Sequence, residues 1–108
     1  MIIATDFDGT ICEDKWPLIG QPKMSVIKYL KKARDRGHRV ILWTMREGLM
    51  LAKAVNWCGL HGLEFDAVND NLPDMVEKYG GNPRKVFADV YIDDRNAQCV
   101  IGRKLPKM

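Results

Sequence analysis

Apolar residues come along this chain in two rhythms. Short blocks rich in β-branched and aromatic residues have the length and composition of strands: Ile2–Phe7 ("IIATDF"), Arg39–Thr44 ("RVILWT"), Phe65–Val68 ("FDAV") and Ala88–Asp93 ("ADVYID"). Between them the apolar positions recur every three or four residues. Met24–Arg36 puts Val26, Ile27, Leu30 and Ala33 on one helical face and lysines and arginines on the other, and Gly37 ends it. Glu47–Leu60 carries Leu51, Ala52, Val55 and Cys58 as an inner stripe, with Gly59 near its end. Pro73–Tyr79 reads as a short helix with Pro73 in its first turn. Elsewhere the chain is punctuated, by Trp16-Pro17 and Gly20-Gln21-Pro22 within a Gly9–Pro22 loop, and by Gly80-Gly81-Asn82-Pro83 before the last strand. The tail after Gly102 is basic and reads as loose.

Strands alternating with helices build a parallel sheet covered on both faces. The predicted fold class is therefore α/β: a Rossmann-like three-layer α/β/α arrangement with a short parallel sheet and right-handed crossovers. With 108 residues, 46% hydrophobic and 29% charged, the chain suits one domain over 1–108, and no linker, repeat or low-complexity stretch divides it. The longest apolar runs are too short to span a bilayer, so no membrane partner is expected. The opening "MIIATDFD" has neither a basic n-region nor a small-residue cleavage site and does not read as a signal peptide. Cys12, Cys58 and Cys99 are odd in number, far apart and without a CxxC pair. Neither a disulfide framework nor a zinc site is expected, and a reducing, cytoplasmic location is. The net charge of +3 is mild, and the basic run "KYLKKARDRGHR" is explained by a solvated helix face before a nucleic-acid surface.

The chemistry lies where strands end. Asp6 and Asp8 close the first strand, Thr44 the second, and Asp93 and Asp94 the last, with Lys85 a little upstream and Met45, Arg46 and Glu47 opening the second helix. In a parallel sheet all these ends lie on one edge, where such sheets bind ligands. Carboxylates gathered without cysteine or histidine prefer a hard cation, Mg²⁺ first, which shares its shell with substrate phosphate. A hydroxyl and backbone N–H groups at a helix N-terminus suit phosphate oxygens, and Lys85 offsets the accumulated negative charge. One carboxylate can attack phosphorus, and a second can serve the leaving oxygen as general acid and then activate water.

At this point "DFDGT", the threonine closing "ILWT", Lys85 and "IDD" resemble the four motifs of the haloacid dehalogenase (HAD) superfamily, in order, over Ile2 to Arg95. The resemblance implies a Mg²⁺-dependent phosphatase, a phosphoric monoester hydrolase working through an aspartyl-phosphate. Asp6 would be nucleophile and metal ligand. Asp8 would be general acid/base and would ligate the metal through its main-chain oxygen. Thr44 would bind the phosphoryl group, Lys85 would steady nucleophile and phosphate, and Asp93 and Asp94 would hold Mg²⁺. An aspartate at position 8 is what the family's phosphatases and phosphotransferases carry, unlike its dehalogenases and P-type ATPases. The chain departs from the family in having no room for a cap domain. Ile11–Lys23 holds only a flap, and Leu60–Pro73 no domain. An open site implies a bulky phosphorylated substrate, or a lid supplied by a partner or a second copy. Small phosphometabolites, nucleotides and a nucleic-acid 3′-phosphate are all candidates, the larger ones favoured. Specificity is expected from the Glu13–Gln21 flap with Trp16, and from Met45 and Arg46, whose guanidinium can reach a second anionic group.

Blander readings exist for each feature. Asp8-Gly9 suits a hairpin turn, Asp93-Asp94 a solvated turn, and Thr44 a helix cap near Glu47. Lys78 and Arg84 compete with Lys85, and Arg95 reads as surface charge. Trp16 can be plain loop packing, and His38 and His61 read as bystanders. Two other function classes compete: a receiver-like module phosphorylated on an aspartate after the third strand, and a catalytically silent protein that keeps the metal and phosphate site.

Overall fold

The computed structural model describes residues 1–82 and 86–93. Its elements run β1 (Ile2–Thr5), β2 (Cys12–Lys15), β3 (Leu18–Pro22), α1 (Met24–Asp35), β4 (Arg39–Leu42), α2 (Gly48–Leu60), β5 (Ala67–Val68), α3 (Pro73–Tyr79) and β6 (Val90–Ile92). Four strands form one sheet in the order β5-β4-β1-β6, every pair parallel, and β2 and β3 form a separate antiparallel hairpin.

Alternation along the strands divides the apolar residues between two faces. Ile3, Val40, Leu42 and Ile92 pack with Val26, Ile27, Leu30 and Ala33 of α1 and with Ala54 and Cys58 of α2. Ile2, Ala4 and Ile41 turn the other way, to Leu72, Val86 and Ala88, with Met75 of α3 against them. Helices therefore cover both faces, as expected for an α/β protein whose short strands are apolar on both sides. Among the described residues no helix is long and apolar enough to cross a membrane.

Three expectations need correction. The Gly9–Pro22 loop contains the β2–β3 hairpin, which turns through a cis Trp16–Pro17 bond. Its sequence lacks alternation because both strands are largely exposed. The hairpin closes so tightly that a Cβ at Gly20 would stand 2.2 Å from the Glu13 carbonyl oxygen. In α2 the inner residue is Ala54, in line with Cys58, and Ala52 is exposed. The strands are shorter than their apolar blocks, because each block includes residues that lead into or out of the ladder. The tail after Gly102 lies outside the described residues.

At the amino edge of the sheet, two of those leading residues are structural acids. The Asp66 amide donates to the Val40 carbonyl (2.8 Å) while its carboxylate accepts the Val40 N–H (2.7 Å). The Asp89 amide donates to the Ile2 carbonyl (2.7 Å) while its carboxylate accepts the Ile2 N–H (2.6 Å). Each aspartate supplies the acceptor that a further residue of strand would have given. Burial raises the Asp66 pKa, but the Arg34 guanidinium and the Val40 N–H outweigh it and hold the carboxyl below its ordinary value. A pKa lowered by folding stabilises the protein above the ordinary carboxylate range and loses that contribution as pH falls through the folded value. Asp66→Asn should therefore cost on the order of 1 kcal/mol at neutral pH. Urea melts should show that deficit shrinking as pH drops below about 4.

Candidate functional site

Because the four strands are parallel, the residues that follow β1, β4, β5 and β6 share the carboxyl edge. The chain passes from β1 to its neighbour β4 and outward to β5, then returns on the opposite side of β1 as β6. The crevice above β1 is thus the reversal point at which open α/β sheets bind ligands. Thr5 is in register with both Leu42 and Ile92, so Asp6 stands level with Trp43 on one side and Asp93 on the other. The Asp6 amide extends the ladder by donating to the Ile92 carbonyl (2.9 Å), and the Trp43 amide donates to that of Thr5 (2.8 Å).

The chain then turns sharply. The Phe7 carbonyl accepts from the amides of Thr10 (3.1 Å) and Ile11 (2.9 Å), and Gly9 takes φ +83°, a left-handed conformation that favours glycine. Lys23 Nζ pins the turn by donating to the Gly9 carbonyl (2.7 Å). Phe7 is buried, while Asp6 and Asp8 on either side of it remain partly open. The Asp6 carboxylate accepts the Phe7 amide at 2.7 Å.

Asp8 meets Arg46. Nε donates to Oδ2 and Nη2 to Oδ1, both at 2.7 Å, in a two-pronged pair. The Arg46 side chain is 1% exposed and that of Asp8 18%. The guanidinium carbon lies 5.1 Å from the Phe7 ring centre and 4.9 Å from that of Trp16. Nη2 also donates to the Leu18 carbonyl (3.1 Å) and Nη1 to that of Met50 (3.5 Å). The Asp8 hydrogen bonds push the Arg46 pKa up against the lowering effect of burial. A buried guanidinium is tolerable on these terms, with its charge matched and four of its five N–H donors used.

Around this pair opens a cleft of about 450 Å³ lined by Asp8, Asp14, Trp16, Met45 and Arg46. Trp16 and Met45, 57% and 98% exposed, form its apolar rim. No family model matches the chain, and no curated protein matches it. Among solved structures it is similar to a conserved protein from Bacteroides thetaiotaomicron, at 46% sequence identity and a TM-score of 0.80, over 90% of this chain and 78% of that one. The chain belongs to the family of that Bacteroides protein.

Family membership carries the α/β fold: a mostly parallel sheet clad with helices, to which the Bacteroides relative corresponds over nearly this whole chain. The placement of the predicted residues is particular to the structure in hand. Asp6, Asp8, Thr44 and Asp93 share one edge; Trp16, Met45 and Arg46 gather with Asp8 at the cleft. Lys85 and Asp94 lie outside the described residues, as do Arg84, Arg95 and Cys99. Thr44 does not cap α2, which has no side-chain cap; its hydroxyl accepts the Arg46 amide at 3.2 Å, ahead of the helix. Among the described residues no three Asp, Glu, His or Cys side chains form a group that could hold a metal ion. Burial pushes the Cys12 thiol pKa up and that of Cys58 to about 12, so both stay protonated and neither is poised as a nucleophile.

Sequence reasoning passed over Asn69. It follows β5 with φ +51°, its Oδ1 accepting the Thr44 amide (2.7 Å) and its Nδ2 donating to the Arg46 carbonyl (3.2 Å). One side chain thus fixes the loop that carries Thr44, Met45 and Arg46. The only available signal was the Asn-Asp pair after an apolar block, a turn signal that says nothing of what the side chain holds.

Proposed function

We propose that the protein is a HAD-type, Mg²⁺-dependent phosphatase that hydrolyses phosphoric monoesters through an aspartyl-phosphate at Asp6. The observation that carries this reading is the position of Asp6, level with Asp93 on the adjacent strand, at the reversal point of the sheet and beside the Thr44 loop. The donors suit a hard cation: the carboxylates of Asp6 and Asp93 and the main-chain oxygen of Asp8, with Asp94 from the same motif. That set asks Asp8 for its backbone and leaves its carboxylate to other work. Bound there, Mg²⁺ would neutralise charge on the phosphoryl oxygens.

In this scheme an Asp6 oxygen attacks phosphorus and the ester P–O bond breaks, its electron pair staying on the leaving oxygen, which takes a proton from Asp8. Water then attacks the phosphorus of the aspartyl-phosphate while Asp8 accepts its proton. The bond to Asp6 breaks, releasing phosphate and restoring the carboxylate. Thr44 and Lys85 take the phosphoryl oxygens. The cleft, open and rimmed by Trp16 and Met45, favours a substrate with an apolar or planar group beyond its phosphate, such as a nucleotide or a nucleic-acid end.

A receiver-like module is disfavoured by Asp66. It stands before β5, at the edge of the sheet opposite Asp6, and is occupied by Arg34 and the Val40 amide. The test is a panel of phosphometabolites, nucleotides, a 3′-phosphorylated oligonucleotide and p-nitrophenyl phosphate, each with Mg²⁺ and with EDTA. Phosphate release that EDTA abolishes and Mg²⁺ restores is the expected result. Full turnover in a metal-free preparation, or no release from any member, overturns the reading.

A further inference from the structure

Arg46 was expected to reach out to an anionic group of the substrate. Its surroundings argue for another task. Four hydrogen bonds run from the guanidinium, two to Asp8, one to the Leu18 carbonyl and one to the Met50 carbonyl. Aromatic rings lie near it, and the side chain is almost wholly buried. Its backbone is fixed as well, the amide by Thr44 and the carbonyl by Asn69. A cation meant for substrate needs exposed donors, and this one has spent four of its five N–H groups inside the protein, its side chain almost wholly buried.

We propose that Arg46 is a positioning residue, seated by the hairpin, that fixes the orientation of the Asp8 carboxylate. The proposal rests on the phosphatase reading for what Asp8 then does. A single hydrogen bond would let the carboxylate turn about its Cβ–Cγ bond; the two-pronged pair removes that freedom. Each Asp8 oxygen accepts one N–H from Arg46 and keeps a further lone pair, which can carry the proton given to a leaving oxygen or accept one from a water. The hairpin is part of the device, since the Leu18 carbonyl and the Trp16 ring both hold the guanidinium. Phe7 links it to α2 through an edge-on contact with Trp57, ring centres 5.7 Å apart.

The test compares an alkyl phosphate from the active panel, which needs a proton on its leaving oxygen, with p-nitrophenyl phosphate, whose leaving group needs none. Arg46→Gln should lower the single-turnover rate of alcohol release from the alkyl ester on the order of 100-fold, as misplacement of a catalytic group does. It should spare the single-turnover release of nitrophenol far more and leave KM little changed, while steady-state turnover of both esters slows because water loses a well-placed base. Arg46→Lys, with a charge but no fork, should fall between. The ratio of the two single-turnover rates does not depend on how much of a variant is folded, so a merely destabilised protein would leave it unmoved. An equal fall in the two single-turnover rates, or a raised KM at unchanged rates, overturns the proposal. A second measurement needs no activity: a double-mutant cycle of Asp8→Asn and Arg46→Gln in urea unfolding. Coupling of about tenfold or more in the folding equilibrium constant is expected for a buried pair, and additive effects overturn the clamp. If the wild type hydrolyses nothing on the panel, the phosphatase reading falls and the cycle alone decides whether Arg46 holds Asp8.

Discussion

Asp6→Asn is expected to abolish phosphate release on every substrate, a loss on the order of 10⁴-fold or more, as when other covalent nucleophiles are removed. An amide neither attacks phosphorus nor ligates Mg²⁺ well, so both roles go at once. The same variant supports a test that needs no substrate. Beryllium or aluminium fluoride with Mg²⁺ mimics the phosphoryl group on or in flight to Asp6, where Thr44 and nearby backbone N–H groups would meet its outer atoms. A ligand that binds only the folded state at a hundred times its Kd adds about 2.7 kcal/mol of stability, which for a chain of this size raises Tm on the order of 10 °C. That shift should require Mg²⁺ and should vanish in Asp6→Asn. Differential scanning fluorimetry reads it directly. A shift that persists in Asp6→Asn would place the anion elsewhere and remove the main support for a covalent mechanism.

Asp8→Asn should cost on the order of 10²- to 10⁴-fold on alkyl phosphates, the usual worth of general acid–base catalysis. With p-nitrophenyl phosphate the first step should suffer less, because nitrophenolate leaves without a proton. Hydrolysis of the aspartyl-phosphate should still slow, since water loses its base. A burst of nitrophenol followed by slow turnover is therefore the expected time course. An unchanged rate on an alkyl ester would show that Asp8 is not the acid. The variant also leaves the buried Arg46 facing a neutral amide, so its folding should be followed by circular dichroism at the assay temperature; breaking a buried pair typically costs about 3–5 kcal/mol.

Legibility along the chain followed the range of the interactions involved. The α3 boundaries, Pro73–Tyr79, were readable because both ends are local: Pro73 sits in the first turn and Gly80 takes the left-handed conformation just past the last. α1 was readable because Val26, Ile27, Leu30 and Ala33 repeat on one face, and all four are buried in the fold. The strands were found but overdrawn, since an apolar residue beside a strand looks like one within it. The Cys12–Pro22 hairpin was missed. Its residues are mostly exposed, so no buried face leaves a pattern, and part of what holds it, the Leu18 carbonyl on Arg46, comes from another part of the chain.

For the site, the sequence by itself determined the chemistry on offer. Acids stand after apolar blocks, a threonine closes one block, and helices between the blocks make the sheet parallel, which sends those ends to one edge. Sequence could not tell the acids that cap strands at the amino edge from those at the candidate site. Asp66 and Asp89 lie beside strands much as Asp6 and Asp93 do, and only the ladder shows that they cap Val40 and Ile2 at the far edge. Arg46 was decided by the tertiary structure alone. Next to Thr44 it reads as a cation reaching for a second anionic group of the substrate, but pairing of β4 with β1 brings it to an aspartate 38 residues away, and the hairpin and α2 close over it. The physical reason is desolvation. Buried with a matched carboxylate, the guanidinium is held by two short hydrogen bonds that water would otherwise compete for, and no local pattern of residues records a partner so distant in the chain.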